Sequence, residues 1–76
     1  MYRLRIGRLR QIANEHGDRT RAAIARRTGI AESSIYRYID GTSQPDLNSA
    51  LRIAAAYGTT VEDLMEPAVD AESVPA

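Results

Sequence analysis

The chain has 76 residues, no cysteine, and ten basic and ten acidic side chains that give a formal net charge of zero. A chain of this size forms one small domain with a limited core. The absence of cysteine excludes disulfides and thiolate metal sites. No apolar run approaches the ~20 residues of a membrane span and no signal peptide is visible, so we expect a cytoplasmic protein.

The charges are distributed unevenly along the chain. All ten basic residues are arginines between Arg3 and Arg52, and residues 59–76 hold five acids and no base. Ten arginines against five acids give residues 1–58 a charge of +5, and residues 59–76 carry −5. Such asymmetry is typical of a nucleic-acid-binding body with an acidic tail, although arginines that only solvate helix faces would give the same composition.

The N-terminal segment YRLRI, residues 2–6, fits two periodicities. At period two its apolar residues share one face of a strand, and at period 3.6 they continue into a helical stripe. We expect a first helix from about residue 6 to residue 16 and leave residues 2–5 open between strand and helix. A strand there would have no partner within the chain, so we expect it to pair only across a dimer.

Residues 20–41, TRAAIARRTGIAESSIYRYIDG, predict two short helices joined by a glycine turn. Thr20 is a good N-cap for the first helix. Gly29 lies where that helix ends and the chain needs a left-handed conformation. In the second helix Ile35 and Ile39 recur at helical spacing, with polar residues between them. This layout predicts a helix-turn-helix at about residues 21–39, whose second helix enters the DNA major groove.

The C-terminal half predicts two further helices. Asp46 follows the turn-rich loop DGTSQPD and is a natural N-cap for the fourth helix, and Thr60 is the N-cap of the fifth. We expect Met65 to help close the core and Pro67 to stop the fifth helix. The fold class is therefore all-α, a compact five-helix bundle over residues 1–66, with an acidic and disordered tail at 67–76.

With these predicted helices and caps, the sequence resembles the Cro/repressor-type (Xre-like) helix-turn-helix domains of phages and bacteria, over roughly residues 6–66. A downstream run from Pro45 to Leu64 fits the fourth and fifth helices of that family. The resemblance implies a lambda-repressor-like fold and a bacterial or phage-encoded, nucleoid-associated protein. The residues of the helix-turn-helix that carry it are Thr20, Ile24, Ala25, Gly29, Ile30, Ser33, Ser34, Ile35 and Gly41.

Two positions depart from the family pattern. Ala31 stands where a Ser or Thr usually caps the recognition helix, which costs about 1 kcal/mol. Ile39 stands where a glutamate often pairs with an arginine of helix 1, a position matched here by Ala13 or Asn14. Replacing both members of a buried ion pair with uncharged groups is neutral or stabilising. The paired replacement supports a packed fold and is silent on function.

A recognition helix reads bases with side chains near its N-terminal half. Arg37 is expected to bind guanine, and Glu32 to accept a hydrogen bond from cytosine or to repel phosphate. Alternatively, Arg37 only solvates the helix. We expect Tyr38 to cover the edge of the core. The predicted base-reading residues are Glu32, Ser33, Tyr36 and Arg37.

Contacts to the DNA backbone are expected from segments that flank the groove. Arg21 matches a family position that commonly holds a phosphate-binding glutamine, at a helix N-terminus that also attracts anions. The predicted backbone-contacting residues are Arg19, Arg21, Ser34, Thr42, Ser43 and Gln44. Family members of similar length often dimerise through the last helix and its loops, which implies dimer contacts at Tyr57, Thr59, Val61 and Met65.

We therefore predict a sequence-specific DNA-binding regulator that acts as a homodimer on a double-stranded, pseudo-palindromic operator. The alternative is an interaction module of the same fold, such as an antitoxin whose tail binds its toxin. An enzyme is not expected, because the single histidine has no triad partner and the carboxylates lack metal-ligand spacing. No cofactor, metal ion or small-molecule ligand is expected.

Overall fold

The computed structural model describes residues 2–67, which form five helices and a two-stranded ribbon. No helix in this range has the length and apolar composition needed to cross a membrane. The predicted all-α bundle is confirmed, with a short β-ribbon added at its ends. The elements are β1 (Tyr2–Leu4), α1 (Ile6–Glu15), α2 (Arg21–Thr28), α3 (Glu32–Asp40), α4 (Leu47–Tyr57), α5 (Val61–Leu64) and β2 (Met65–Pro67).

The helices surround one core to which each of them contributes. The fully buried side chains include Leu9 of α1, Ile35 of α3, Ile53 of α4 and Leu64 of α5. Ile24 of α2 is 3 % exposed and completes the cluster. Because these residues lie in all five helices, the two helices of the helix-turn-helix are fixed to the rest of the domain.

The turn between α2 and α3 follows from local sequence signals. The Thr20 hydroxyl accepts a hydrogen bond from the Ala23 amide at 3.1 Å, which caps the start of α2. Gly29 ends α2 with a φ of 73°, in the left-handed region that glycine adopts at little cost. Ala31 provides no side-chain cap to α3, as predicted from the sequence. Glu32 places an acidic group in the first turn of α3, where the helix dipole favours a negative charge.

Ala13 and Ile39 occupy the interior where the family pattern often has a charged pair. Ala13 is 1 % exposed and Ile39 is 7 % exposed, and both belong to the core cluster. Asn14, the other residue matched to the arginine position, is exposed. The apolar pair therefore takes part in packing, and neither position leaves a buried charge without a partner.

The N-terminal strand pairs within the chain. β1 runs antiparallel to β2, with Arg3 opposite Glu66 and Leu4 opposite Met65. The expectation that this strand would find a partner only across a dimer is wrong. It failed because the fifth helix ends at Leu64, before the predicted stop at Pro67. A residue that precedes proline is disfavoured in helical conformation, so the chain before Pro67 becomes extended and can pair.

Each strand of the ribbon has an outward amide that is already bonded within the domain. The Leu4 amide donates to the Gln44 side-chain oxygen at 2.8 Å, on the side of β1 away from β2. On β2 the Met65 amide donates to the Val61 carbonyl, and Pro67 has no amide hydrogen. Pairing of β1 with a second copy by strand addition is therefore not favoured.

A polar cluster joins α1, α2 and α4 on one side of the core. The Tyr57 hydroxyl donates to Asp18 at 2.8 Å, and Arg27 forms an ion pair with the same carboxylate. The edge of the His16 ring lies against the Tyr57 ring, with centroids 5.2 Å apart. The hydrogen bond from Arg27 is the main reason that the pKa of Asp18 lies below its usual range. Burial, followed by the bond to Asp18, raises the pKa of Tyr57.

Candidate nucleic-acid interface

The outward side of α3 carries the residues predicted to read bases. Its inward side is anchored in the core by Ile35, Tyr38 and Ile39, of which Tyr38 is 8 % exposed, in line with its predicted place at the core edge. This anchoring fixes which side of the helix faces solvent. The four predicted base-reading residues are all exposed: Glu32, Ser33, Tyr36 and Arg37.

Glu32 and Tyr36 are joined one turn apart on this side. The Tyr36 hydroxyl donates to a Glu32 carboxylate oxygen at 2.9 Å. This hydrogen bond is the main reason that the pKa of Tyr36 is raised. The carboxylate of Glu32 is therefore directed to the hydroxyl of Tyr36, a residue that is 40 % exposed.

Arg37 is the basic residue on the exposed side of α3, in the last turn of the helix. It forms no ion pair with any of residues 2–67, and its guanidinium donates only a long hydrogen bond of 3.4 Å to the Ser34 hydroxyl. Ser34 is half-buried. A guanidinium with donors to spare on an exposed helix face has the geometry needed for bidentate contact with an acceptor edge.

Arg21 connects the start of α2 with the far end of α3. Its Nη1 lies 3.1 Å from Asp40 Oδ1, and its guanidinium carbon lies 4.6 Å from the centre of the Tyr36 ring. Arg21 is therefore held over the recognition helix by an acid and an aromatic ring. An incoming phosphate has to compete with Asp40 for this guanidinium.

A polar pocket of about 360 Å³ lies where α1, the N-terminus of α2 and α3 meet. Tyr36 and Ile39 form its wall on α3, so it adjoins the base-reading side. Arginines and a helix N-terminus together attract phosphate oxygens. We call it the arginine pocket, and its polar residues from the first two helices and their connection are Arg10, Asn14, Asp18, Arg19, Thr20 and Arg21.

The arginine pocket contains two residues that sequence reasoning did not select. Arg10 was not among the predicted backbone-contacting residues, and Asn14 was considered only as a position matched to the arginine of helix 1 in the family pattern. Both are exposed on α1 and line the pocket. Their spacing of four residues places them on the same side of a helix, which was the available signal.

Other arginines have structural partners. Arg3 pairs with Glu66 at 3.1 Å and Arg8 with Asp63 at 2.9 Å. The hydrogen bond from Arg8 is the main reason that the pKa of Asp63 is lowered. Two of the five acids in the −5 segment are thus paired with arginines of the N-terminal segment. They neutralise Arg3 and Arg8, neither of which lines the arginine pocket.

The loop after α3 is held between that helix and β1. The Thr42 and Ser43 amides donate to the Arg37 carbonyl at 3.0 and 3.3 Å, and the Thr42 hydroxyl donates to the same oxygen. Gln44 uses its side-chain oxygen to bind the Leu4 amide. Three residues of this loop were predicted to contact the DNA backbone. Among residues 2–67, the hydroxyl of Ser43 and the side-chain amide nitrogen of Gln44 form no hydrogen bond.

The residues implied in dimer contact separate into two groups. Tyr57 is only 4 % exposed and its hydroxyl binds Asp18, so its side chain belongs to the core and is removed from the set. The available signal was its helical spacing from Ala50, Ile53 and Ala54, the other buried residues of α4. Thr59 donates to Asp63 at 2.6 Å within the same domain. Val61 and Met65 line an apolar groove at the surface.

Comparison with known protein families gives a match over most of the chain. Residues 8–70 match the family model described as the Cro/C1-type HTH DNA-binding domain. The match covers α1 to β2, and hence the arginine pocket and the whole exposed side of α3. No curated protein and no solved structure matches the chain.

Proposed function

The chain belongs to the Cro/C1-type helix-turn-helix DNA-binding family, and we propose that it is a sequence-specific transcriptional regulator of the Cro or repressor kind. In this proposal it binds a pseudo-palindromic double-stranded operator as a homodimer. Occupation of a promoter then blocks access by the polymerase.

One observation carries this proposal. The exposed side of α3 adjoins the arginine pocket, with Tyr36 belonging to both. A surface that combines base-reading side chains with a basic phosphate site is what a helix in the major groove requires. Phosphate contacts then fix the orientation of the protein, and contacts from α3 to base edges provide specificity.

Base recognition rests mainly on Arg37. Its guanidinium donates two hydrogen bonds to O6 and N7 of guanine, a pairing that discriminates against other bases by about 1–3 kcal/mol. Ser33 contacts a base or a phosphate, and the ring of Tyr36 packs on a thymine methyl group. Glu32 accepts from cytosine or excludes sites where phosphate approaches too closely.

Backbone recognition comes from both sides of the groove. The arginine pocket receives a phosphate at the N-terminus of α2, where Arg10, Arg19 and Arg21 neutralise it. On the opposite side of α3, the Ser43 hydroxyl and the Gln44 amide donate to the next phosphates. Because each neutralised phosphate releases counterions, binding weakens steeply as salt is raised.

Selection of bound duplexes from a random DNA pool by the full chain tests this function. The expected product is a motif of two inverted half-sites, spaced about one helical turn of 10 base pairs apart. A parallel selection with the Arg37→Ala variant is expected to lose the guanine positions. A pool that shows no enrichment with the wild-type chain would overturn the proposed function.

A further inference from the structure

The exposed side of α3 carries an acid and an aromatic ring that are joined to each other. The Tyr36 hydroxyl donates to Oε1 of Glu32 at 2.9 Å. Among residues 2–67, nothing donates a hydrogen bond to the other carboxylate oxygen, and no arginine forms an ion pair with Glu32. This acid therefore keeps its charge and a free acceptor on the surface that is proposed to face DNA.

The ring of Tyr36 is held at two points. Its hydroxyl is bound to Glu32, and the guanidinium carbon of Arg21 lies 4.6 Å from the centre of the ring. Asp40 in turn holds Arg21 through an ion pair of 3.1 Å. A partly exposed ring that is fixed in this way places apolar surface beside the Glu32 carboxylate, and little rotamer freedom is left to lose on binding.

The base edges of the major groove offer few partners for a carboxylate. Only the amino groups of cytosine and adenine donate there, whereas guanine N7 and O6 and thymine O4 are acceptors. Adenine places the acceptor N7 beside its amino group, so it calls for a donor next to the acid. The Tyr36 hydroxyl is already bound to Glu32. Cytosine instead places the carbon C5 beside its amino group, so an acid with an apolar neighbour matches cytosine.

We infer that Glu32 and Tyr36 read the same base, and that this base is a cytosine with a methyl group on C5. Glu32 accepts from the N4 amino group, and the Tyr36 ring packs on the methyl group, which then belongs to this cytosine and not to a thymine. The inference rests on the proposed function in one respect, because it requires α3 to lie in the major groove. It adds that binding responds to methylation of the operator.

The two side chains together define an order of preference among bases. Thymine carries the same methyl group but has the acceptor O4 in the place of the amino group, so it meets the Glu32 carboxylate unfavourably. Unmethylated cytosine satisfies Glu32 and gives the Tyr36 ring no methyl group to pack on. The expected order of affinity is therefore 5-methylcytosine, cytosine and thymine. Neither side chain alone gives this order, since an acid does not sense the methyl group and a ring does not exclude thymine.

Fluorescence anisotropy titrations with the operator obtained from the random pool test the inference. Each cytosine of a half-site is replaced in turn by 5-methylcytosine, and each C·G pair by T·A. At one cytosine per half-site, methylation is expected to strengthen binding about threefold, as for the burial of one methyl group. Thymine at the same position is expected to weaken binding about tenfold, because the carboxylate then faces an acceptor.

Substitutions assign the two effects to the two side chains. Tyr36→Ala is expected to abolish the gain from methylation and to keep the preference for cytosine over thymine. Glu32→Gln is expected to abolish that preference and to keep the gain, because an amide both accepts from N4 and donates to O4. Tyr2→Ala is the matched control, since Tyr2 is also an exposed tyrosine but lies on β1, and it should retain both effects. Circular dichroism checks that all three variants fold.

Three results would overturn the inference. These are a selected motif without cytosine in its half-sites, an operator in which no methylated cytosine binds more tightly, and a gain from methylation that persists in Tyr36→Ala. A pool without any enrichment overturns the proposed function and the inference with it. An enriched motif that is insensitive to methylation overturns the inference alone, so the two failures are distinguishable.

Discussion

Arg21 and Asp40 form an ion pair between the first residue of α2 and the last residue of α3, with Nη1 3.1 Å from Oδ1. The same guanidinium lies over the Tyr36 ring. An acid of the recognition helix therefore holds the side chain expected to bind phosphate. Both members are exposed, so the pair contributes little to stability, and its main effect is on DNA affinity.

Asp40→Asn is expected to increase DNA affinity about two- to tenfold, because the phosphate no longer competes with a carboxylate for Arg21. The increase should be similar on operator and on random duplex, since phosphates carry no sequence information. Fluorescence anisotropy titrations on both duplexes measure it. Glu15→Gln is the matched control for the loss of one acid elsewhere. An affinity gain of the same size in that control would show that only net charge matters.

Arg21→Ala is expected to weaken binding to operator and to random DNA by a similar factor. The slope of log affinity against log salt concentration should become shallower by about one, as for the loss of one phosphate contact. Titrations at several salt concentrations provide both quantities. A loss confined to the operator would assign Arg21 to base reading and contradict its place in the arginine pocket.

Gln44 has two separable roles, one in the fold and one at DNA. Gln44→Ala removes the acceptor for the Leu4 amide and is expected to lower the free energy of unfolding by about 1 kcal/mol. Gln44→Glu keeps an acceptor for Leu4, so it should retain stability and lose DNA affinity through repulsion of phosphate. Thermal unfolding and DNA titration of both variants test this. Equal DNA affinity of Gln44→Glu and wild type would remove Gln44 from the interface.

Asp18 is expected to make stability dependent on pH. The pKa of Asp18 in the folded protein is held below the usual range, mainly by the hydrogen bond from Arg27. The Asp18 carboxylate therefore stabilises the fold fully above its unfolded pKa of about 3.9, and this stabilisation is lost as the pH falls through the folded pKa. Asp18→Asn should therefore cost about 1–2 kcal/mol at pH 7 and progressively less below pH ~4. Urea unfolding across this pH range measures the difference. If the free energies of unfolding of wild type and Asp18→Asn differed by the same amount at all pH values, the lowered pKa of Asp18 would be contradicted.

The local part of the fold was predictable from sequence. Thr20, Gly29, Asp46 and Thr60 are cap residues whose effect depends on neighbours in the chain, and the structure places a helix end at each of them. The amphipathic pattern of α3 correctly separated the buried isoleucines from the exposed polar residues. These signals act within one or two turns, so a single sequence is enough to interpret them.

Features that depend on distant residues were not predictable. The pairing of Arg3 with Glu66 joins residues 63 positions apart, and only a folded core brings them together. The hydrogen bond between Gln44 and Leu4 is another such contact. Tyr57 was assigned to a partner because the family resemblance implied dimer contacts around the last helix, and its hydrogen bond to Asp18 joins residues 39 positions apart. Arg19 and Arg21 of the arginine pocket were predicted, whereas Arg10 and Asn14 were missed, because only the fold brings α1 beside the start of α2.

The central claim is that Arg37 reads the operator, and the ratio of affinities for operator and scrambled duplex tests it most directly. For Arg37→Ala this ratio is predicted to fall by about tenfold or more per half-site, since a bidentate contact with guanine is lost. Arg21→Ala is the control and should leave the ratio nearly unchanged while lowering both affinities. An unchanged ratio in Arg37→Ala would contradict the account, because base recognition would then lie elsewhere on the protein.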